Sequence, residues 1–186
     1  MVVEDNYAYL ADRLGLFIID VSNKGAPSES GFLDLPYGNS LDYQNGFVYM
    51  VRSDTILSIV DVHNPGLPVE VGCLTNQCKM NKIAVSGDYA YLTCSSHDTV
   101  LCVVDISNTS SPVGVGFIPS LRSDAIGVEV SGDYLFVGLE RSGIDIYDIV
   151  TDPTSPGKLA NYDGQNFPSD LFFAVALYFT VLMGKI

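Results

Sequence analysis

The 186-residue sequence predicts an all-β protein built from tandem four-stranded units, and three observations carry that prediction. First, Leu16-Phe17-Ile18-Ile19-Asp20-Val21, Leu57-Ser58-Ile59-Val60-Asp61-Val62, Leu101-Cys102-Val103-Val104-Asp105-Ile106 and Ile144-Asp145-Ile146-Tyr147-Asp148-Ile149 share one pattern, with aspartates 41, 44 and 43 residues apart. Second, an aromatic segment precedes each: Asn6-Tyr7-Ala8-Tyr9, Gly46-Phe47-Val48-Tyr49, Asp88-Tyr89-Ala90-Tyr91 and Asp133-Tyr134-Leu135-Phe136. Third, prolines follow each, at Pro27, at Pro65 and Pro68, at Pro112, and at Pro153 and Pro156. Three motifs in one order four times over define a repeat of about 43 residues, and a fixed period decides the architecture.

Within a unit, short runs rich in Val, Ile, Tyr and Phe are bounded by Gly, Asn, Asp and Pro, and no ten-residue window carries a 3.6-residue stripe. Four strands result. The inner one is Ile83 to Ser86 in the third unit and Gly127 to Ser131 in the fourth. A tight turn, Ser86-Gly87-Asp88, Ser131-Gly132-Asp133 or Gln44-Asn45-Gly46, leads to the aromatic strand, because Gly and Asn tolerate the positive φ of two-residue hairpins. The aspartate-ended strand is apolar on both alternating sets, Leu57 and Ile59 against Val60 and Val62, as a sheet covered on both faces requires. An outer strand, Val113 to Ile118 in the third unit, follows the proline.

Four-stranded antiparallel units of this length in tandem predict a β-propeller. The units span approximately 1–37, 38–78, 79–121 and 122–165, and 166–186 is a partial fifth blade or a closing strand. Met1 to Glu4 supplies only the end of a first inner strand, and Ser169-Asp170-Leu171 repeats the Ser123-Asp124-Ala125 approach to an inner strand. The chain is therefore expected to be a fragment of a larger ring; the alternative is a closed four-bladed propeller. Leu171 to Gly184 is uncharged and mostly apolar but short of the twenty residues of a membrane helix, so a buried strand pair is expected there and no membrane insertion.

Composition removes several functions. With 9 basic against 22 acidic side chains the net charge is −13, and no basic cluster exists to displace counterions from phosphates, which excludes nucleic acid and disfavours anionic membranes. The N-terminus has neither the basic start nor the apolar core of a signal peptide.

The Tyr-Ala-Tyr-Leu strand, the Gly15 to Ser22 strand, and the Pro and Val-Gly of Pro68 to Gly72 and Pro112 to Gly116 resemble the LVIVD repeat. The likeness covers about Met1 to Tyr162 and weakens in the fourth unit, where Tyr147 replaces an aliphatic residue and no Val-Gly follows Pro156. It implies a β-propeller of bacterial or archaeal surface and secreted proteins, often beside other modules, with no family-wide catalytic residues. The expected function is a non-catalytic protein-interaction or scaffolding module of a cell-surface or secreted protein, with a protein or carbohydrate ligand. The alternative is a propeller-type hydrolase or a lactonase-like metal-dependent enzyme.

No catalytic residue is read from the sequence. Asp20, Asp61, Asp105 and Asp148 end apolar strands before turns whose N–H groups they can accept. No Asp-x-Asp-x-Asp-Gly calcium loop, nucleophile elbow or phosphate loop occurs, and Gly114-Val115-Gly116 is an outer-strand feature. His63 stands where other units have Ser22 and Ser107 and reads as a turn residue. Cys73 aligns with Phe32 and Phe117 and reads as a small core substitute; Cys94 is placed opposite Thr99 and Cys102 opposite Tyr91, leaving Cys73 with Cys78 as the one plausible bridge. No CxxC or CxxH pair exists, so no metal site is expected.

A ligand would meet the loops between the second and third strands and those leading into the inner strands, which share one side of a propeller. They carry Asp12, Arg13, Arg52, Asp54, His97, Asp98, Glu140 and Arg141 as a candidate binding face. Central-channel candidates are Asp42, Asn81, Asp124 and Asp170; no cofactor is expected, and calcium is the one ion the enzyme reading would call on there.

Overall fold

The computed structural model describes residues 1–75, 78–96, 99–119, 124–140 and 142–162. Among these described residues sixteen strands form four sheets. The first holds β1 (Val2–Glu4), β2 (Tyr7–Ala11), β3 (Leu16–Asp20) and β4 (Ser28–Leu33). The second holds β5 (Gly38–Gln44), β6 (Phe47–Arg52), β7 (Ile56–Asp61) and β8 (Val69–Thr75). The third is β9 (Met80–Ser86), β10 (Tyr89–Ser96), β11 (Thr99–Asp105) and β12 (Val113–Pro119), and the fourth β13 (Ala125–Ser131), β14 (Tyr134–Leu139), β15 (Gly143–Asp148) and β16 (Gly157–Tyr162). Each is an antiparallel meander in chain order, and the described sheets do not close into a ring. Residues 166–186, including the expected strand pair, lie outside the described residues. Among the described residues no helix is long and apolar enough to cross a membrane.

The repeat extends to register. Val2, Asp42, Ala84 and Glu129 each pair with the aromatic position Tyr9, Tyr49, Tyr91 or Phe136. The first turns come in two chemistries. Asp5-Asn6 and Asn45-Gly46 both have positive φ, the type I′ pattern, whereas Gly87 and Gly132 alone are positive in their turns, the type II′ pattern. Every third-to-outer strand pair carries a register shift at the same place, between Ile18 and Ile19, Ile59 and Val60, Val103 and Val104, and Ile146 and Tyr147. Such a bulge increases local twist, which a fanned stack of blades needs.

Among the described residues, three cores lie between blades rather than within them. Tyr9, Leu16 and Ile18 of the first blade meet Val48, Met50, Val60 and Val62 of the second. Tyr49, Leu57 and Ile59 meet Ala90, Leu92, Cys102 and Val104 of the third. Tyr91, Leu101 and Val103 meet Leu135, Val137, Tyr147 and Ile149 of the fourth. The two apolar sets of the aspartate-ended strand thus serve two different neighbours, which is why neither set is polar.

Each aspartate that ends a third strand caps its own turn. Oδ1 accepts the N–H two residues on: Ser22 for Asp20 (2.8 Å), His63 for Asp61 (2.9 Å), Ser107 for Asp105 (2.9 Å) and Val150 for Asp148 (2.8 Å). Hydrogen bonds from Ser22, His63, Ser107 and Thr151 hold all four carboxyls below their ordinary pKa. His63 adds its ring, with Nδ1 2.8 Å from Asp61 and an edge-on contact to Phe47.

Candidate functional site

The hairpin tips and the lead-ins to the inner strands form one end of the molecule, stitched by backbone hydrogen bonds. The Gly38 N–H donates to the Asp12 carbonyl (2.8 Å), Tyr37 to Arg13 (3.2 Å), Ser53 to Tyr37 (2.9 Å), Met80 to Asp54 (2.5 Å) and Ser95 to Lys79 (2.8 Å). The first three blades therefore present a continuous rim. In the fourth, Glu140 N–H donates to the Asp124 carbonyl (2.9 Å).

The candidate residues of this face divide into exposed and structural ones. Arg13 is exposed. Asp12 Oδ1 accepts the Leu14 N–H at 2.7 Å and the Gly15 N–H at 3.1 Å, so its charge shapes the tip. Ser53 and Asp54 both have positive φ, a type I′ turn. Arg52 points inward: Nε donates to Ser58 Oγ at 2.7 Å, Nη2 lies 3.4 Å from Glu70, and the side chain is only 18% exposed. Glu140 is exposed at its tip. His97, Asp98 and Arg141 lie outside the described residues.

Sequence reasoning passed over Tyr37, which is 62% exposed, has φ of 66° and sits between the tips of Arg13 and Ser53. A bulky residue in the left-handed region is an outlier held by its surroundings, here by the two backbone bonds. Nothing in the repeat pattern marks it.

The central-channel candidates separate as well. Asn81 Nδ2 donates to Ser95 Oγ, so Asn81 and Asp124 both lie at the rim end, tied to the tips of their own blades. Asp170 is outside the described residues. Asp42 lies deeper on β5, its Oδ1 accepting the Tyr43 N–H (2.8 Å) and its Oδ2 the Val85 N–H of the next blade (2.7 Å). Burial raises its pKa against the lowering effect of those two bonds. Two residues on, Gln44 clamps Gly87, donating to its carbonyl at 2.8 Å and accepting its N–H at 2.9 Å. Glu129 occupies the repeat position of Asp42 two blades later, with Ala84 between them, and its carboxyl is raised by burial and then by the Asp42 charge.

A carboxyl raised in the fold binds more protons folded than unfolded, so its burial weakens stability as pH climbs through its folded pKa. Glu129→Gln is expected to melt higher than the parent at pH 7, with the gap closing below about pH 4, where the unfolded carboxyl is also protonated. Melting curves at pH 7 and pH 3.5 check this; equal gaps at both would show that the charge is not the cause.

A family profile for the LVIVD repeat matches residues 1–34, 39–75, 79–118 and 123–164. The chain belongs to the LVIVD-repeat family. No curated protein matches its sequence. Among solved structures, a protein from Lactobacillus plantarum, 14% identical, superimposes with a TM-score of 0.72 over 88% of this chain and 56% of its own. The computationally designed Ika8 protein, 13% identical, gives 0.64 over 88% of this chain and 48% of its own. The designed Ika4 protein, also 13% identical, gives 0.54 over 69% and 73%. The LVIVD chain spans about half the length of the first two, and likeness at this identity establishes the fold alone.

The cysteines of this LVIVD propeller correct three expectations. Cys73 lies opposite Ser58 on the outer strand and is exposed; the equivalent Phe32 and Phe117 are also exposed, so the position belongs to the blade rim and not the core. Cys102 faces Leu92 rather than Tyr91, and Thr99 pairs with Ser96 rather than Cys94, because the strands close two residues nearer the tip than expected and a register shift between Thr93 and Ser96 gives one residue back. Cys94 and Cys102 consequently share a sheet face, their Sγ atoms 2.7 Å apart, and Cys78 Sγ lies 2.8 Å from Cys102. Cys78 is therefore directed to Cys102 and not to Cys73. The absence of CxxC spacing hid a three-thiol group whose Sγ atoms all lie within 4.8 Å of one another. Hydrogen bonds from the Cys102 and Cys94 thiols push Cys78 down to about 4, while Cys94 is pushed up by its bonds with Cys102 and Cys78 and by its burial.

One more polar group escaped the sequence. Asp145, 5% exposed, receives Lys158 Nζ (2.6 Å), Asn161 Nδ2 (2.7 Å) and Tyr147 OH (3.2 Å). Tyr147 departs from the aliphatic pattern of its siblings because its hydroxyl serves this carboxylate. The group is fully satisfied and locks β15 to β16.

Proposed function

We propose that this LVIVD propeller is a non-catalytic protein-interaction or scaffolding module of a cell-surface or secreted protein, engaging a protein or carbohydrate ligand through its hairpin rim. The observation that carries this reading is that the recurrent aspartates are spent on backbone N–H groups of their own turns, while residues that differ between units gather on the rim. A frame that repeats and a rim that varies is the arrangement in which loops confer recognition. Membership of the family supports the surface or secreted setting. The second reading, a propeller-type hydrolase or lactonase-like metal-dependent enzyme, rests on the Asp42 and Glu129 pair.

One experiment separates them. The purified chain is screened against immobilised glycans and matrix proteins, and in parallel for hydrolysis of lactones and esters with and without calcium. The expected outcome is saturable binding that the Arg13→Glu variant loses while keeping its melting temperature, with no turnover. Arg52 is left out because its bonds to Ser58 and Glu70 would make reversal a folding defect. Calcium-stimulated hydrolysis abolished by Asp42→Asn would overturn the proposal in favour of the enzyme.

A further inference from the structure

The strongest unexplained chemistry is the sulfur cluster in the core between the second and third blades. Cys94 and Cys102 are buried and Cys78 half-buried, packed among Val51, Leu57, Ile59 and Leu92. Met80, fully buried, stands directly across the β9–β10 ladder from Cys94, so its side chain leaves the same face of the sheet. Three thiols and a thioether are thus assembled on one face of the third blade and roofed by the second. No His, Asp or Glu joins the group among the described residues.

We infer that Cys78, Cys94 and Cys102 form a binding site for a soft monovalent d¹⁰ ion, copper(I). Ligand type decides the ion. Sulfur-only donors select soft metals, and a thioether neighbour adds softness where zinc would call for a fourth nitrogen, oxygen or thiolate ligand. Copper(I) is satisfied by three thiolates in a plane, and an apolar, water-poor pocket suits it better than hard, hydrated cations.

Geometry is close to what such a centre needs. Metal–sulfur bonds of about 2.3 Å in a trigonal plane set the sulfurs about 4 Å apart. Here they span 2.7 Å to at most 4.8 Å, so the ion enters by an opening of roughly an ångström. Cys78 can supply it, since it lies outside the strands, just before β9, and is the partly exposed member. Binding is proton-coupled: each thiol forms a sulfur–copper bond and releases its proton to solvent, with no change of oxidation state at sulfur or copper.

The test uses the full chain, reduced and handled without oxygen, titrated with copper(I) against the chromogenic chelator bicinchoninate. One copper(I) per chain is expected to be withheld from the chelator, with an ultraviolet thiolate-to-copper band and a sulfur-only shell by X-ray absorption. Cys102→Ser, which removes the thiol touching both others, is expected to abolish retention, and Cys78→Ser, at the half-buried position where folding is least at risk, to do the same. Cys73→Ser should retain copper like the parent. The inference is overturned if the reduced parent surrenders all its copper to the chelator, or if Cys78→Ser, shown folded by its melting curve, retains as much as the parent.

Discussion

Gly72→Ala is expected to lower stability by about 2–3 kcal/mol, the cost of forcing extra volume into a packed junction. For a chain of this size that is a fall of roughly 5–10 °C in melting temperature. A Cβ on Gly72 would overlap the carbonyl oxygen of Thr109, in the proline loop of the next blade, and the obstruction is backbone that cannot swing aside. The same contact recurs one blade earlier, Gly31 on Pro65, and one blade later, Gly116 on Thr154. Restricting the unfolded chain by Gly→Ala stabilises by up to about 1 kcal/mol, too little to offset the clash. Gly114→Ala is the control, since nothing lies within 4 Å of its added carbon; it should stay within about 0.5 kcal/mol of the parent. If Gly72→Ala and Gly114→Ala melt together, the blades do not touch where the structure places them.

Tyr91→Ala is expected to cost about 3–5 kcal/mol, the range for deleting a buried aromatic ring. Tyr91 is the largest fully buried side chain among the described residues, 1% exposed, and plugs the core between the third and fourth blades beside Leu135, Val137 and Tyr147. Burial raises its hydroxyl to about 12, so it stays neutral throughout the physiological range. Tyr91→Phe keeps the ring and should lose far less, which separates packing from the hydroxyl. Denaturant melts of the two variants give the comparison, and equal losses would contradict a role in filling the junction. The homologous Tyr9 and Tyr49 plug the junctions before it, Tyr9 with a stacked partner in Tyr43 of the next blade.

These two positions show how much was legible beforehand. The aromatic and glycine motifs are visible in the sequence as repeating marks, but their reason is tertiary: each contacts the following blade. The fourth unit has Ala160 where its siblings have glycine, opposite Ile146 as Gly72 is opposite Ile59, and Ala160 is exposed. Among the described residues no following blade lies against it. Register was legible at turns, where Gly and Asn announce the hairpin, and illegible between β10 and β11, where closure at Ser96 and Thr99 and a register shift after Thr93 together put Cys102 opposite Leu92. Charge was legible as a count and not as a role, for Arg52 and Asp12 serve the frame while Arg13 faces solvent.

The sequence by itself determined the strands, their order, the turn positions and the repeat, because these depend on period, β-propensity and the φ that Gly and Asn allow, all local properties. It also determined that both faces of the third strand are buried. The tertiary structure decided what local rules cannot encode: which tips join into one rim, which backbone groups of the next blade Asp42 and Gln44 bond, and which three thiols meet. Those outcomes depend on how separate strands lie against one another, through contacts between residues well apart in sequence: 24 positions for Cys78 with Cys102, and 43 for Asp42 with Val85 and for Gln44 with Gly87.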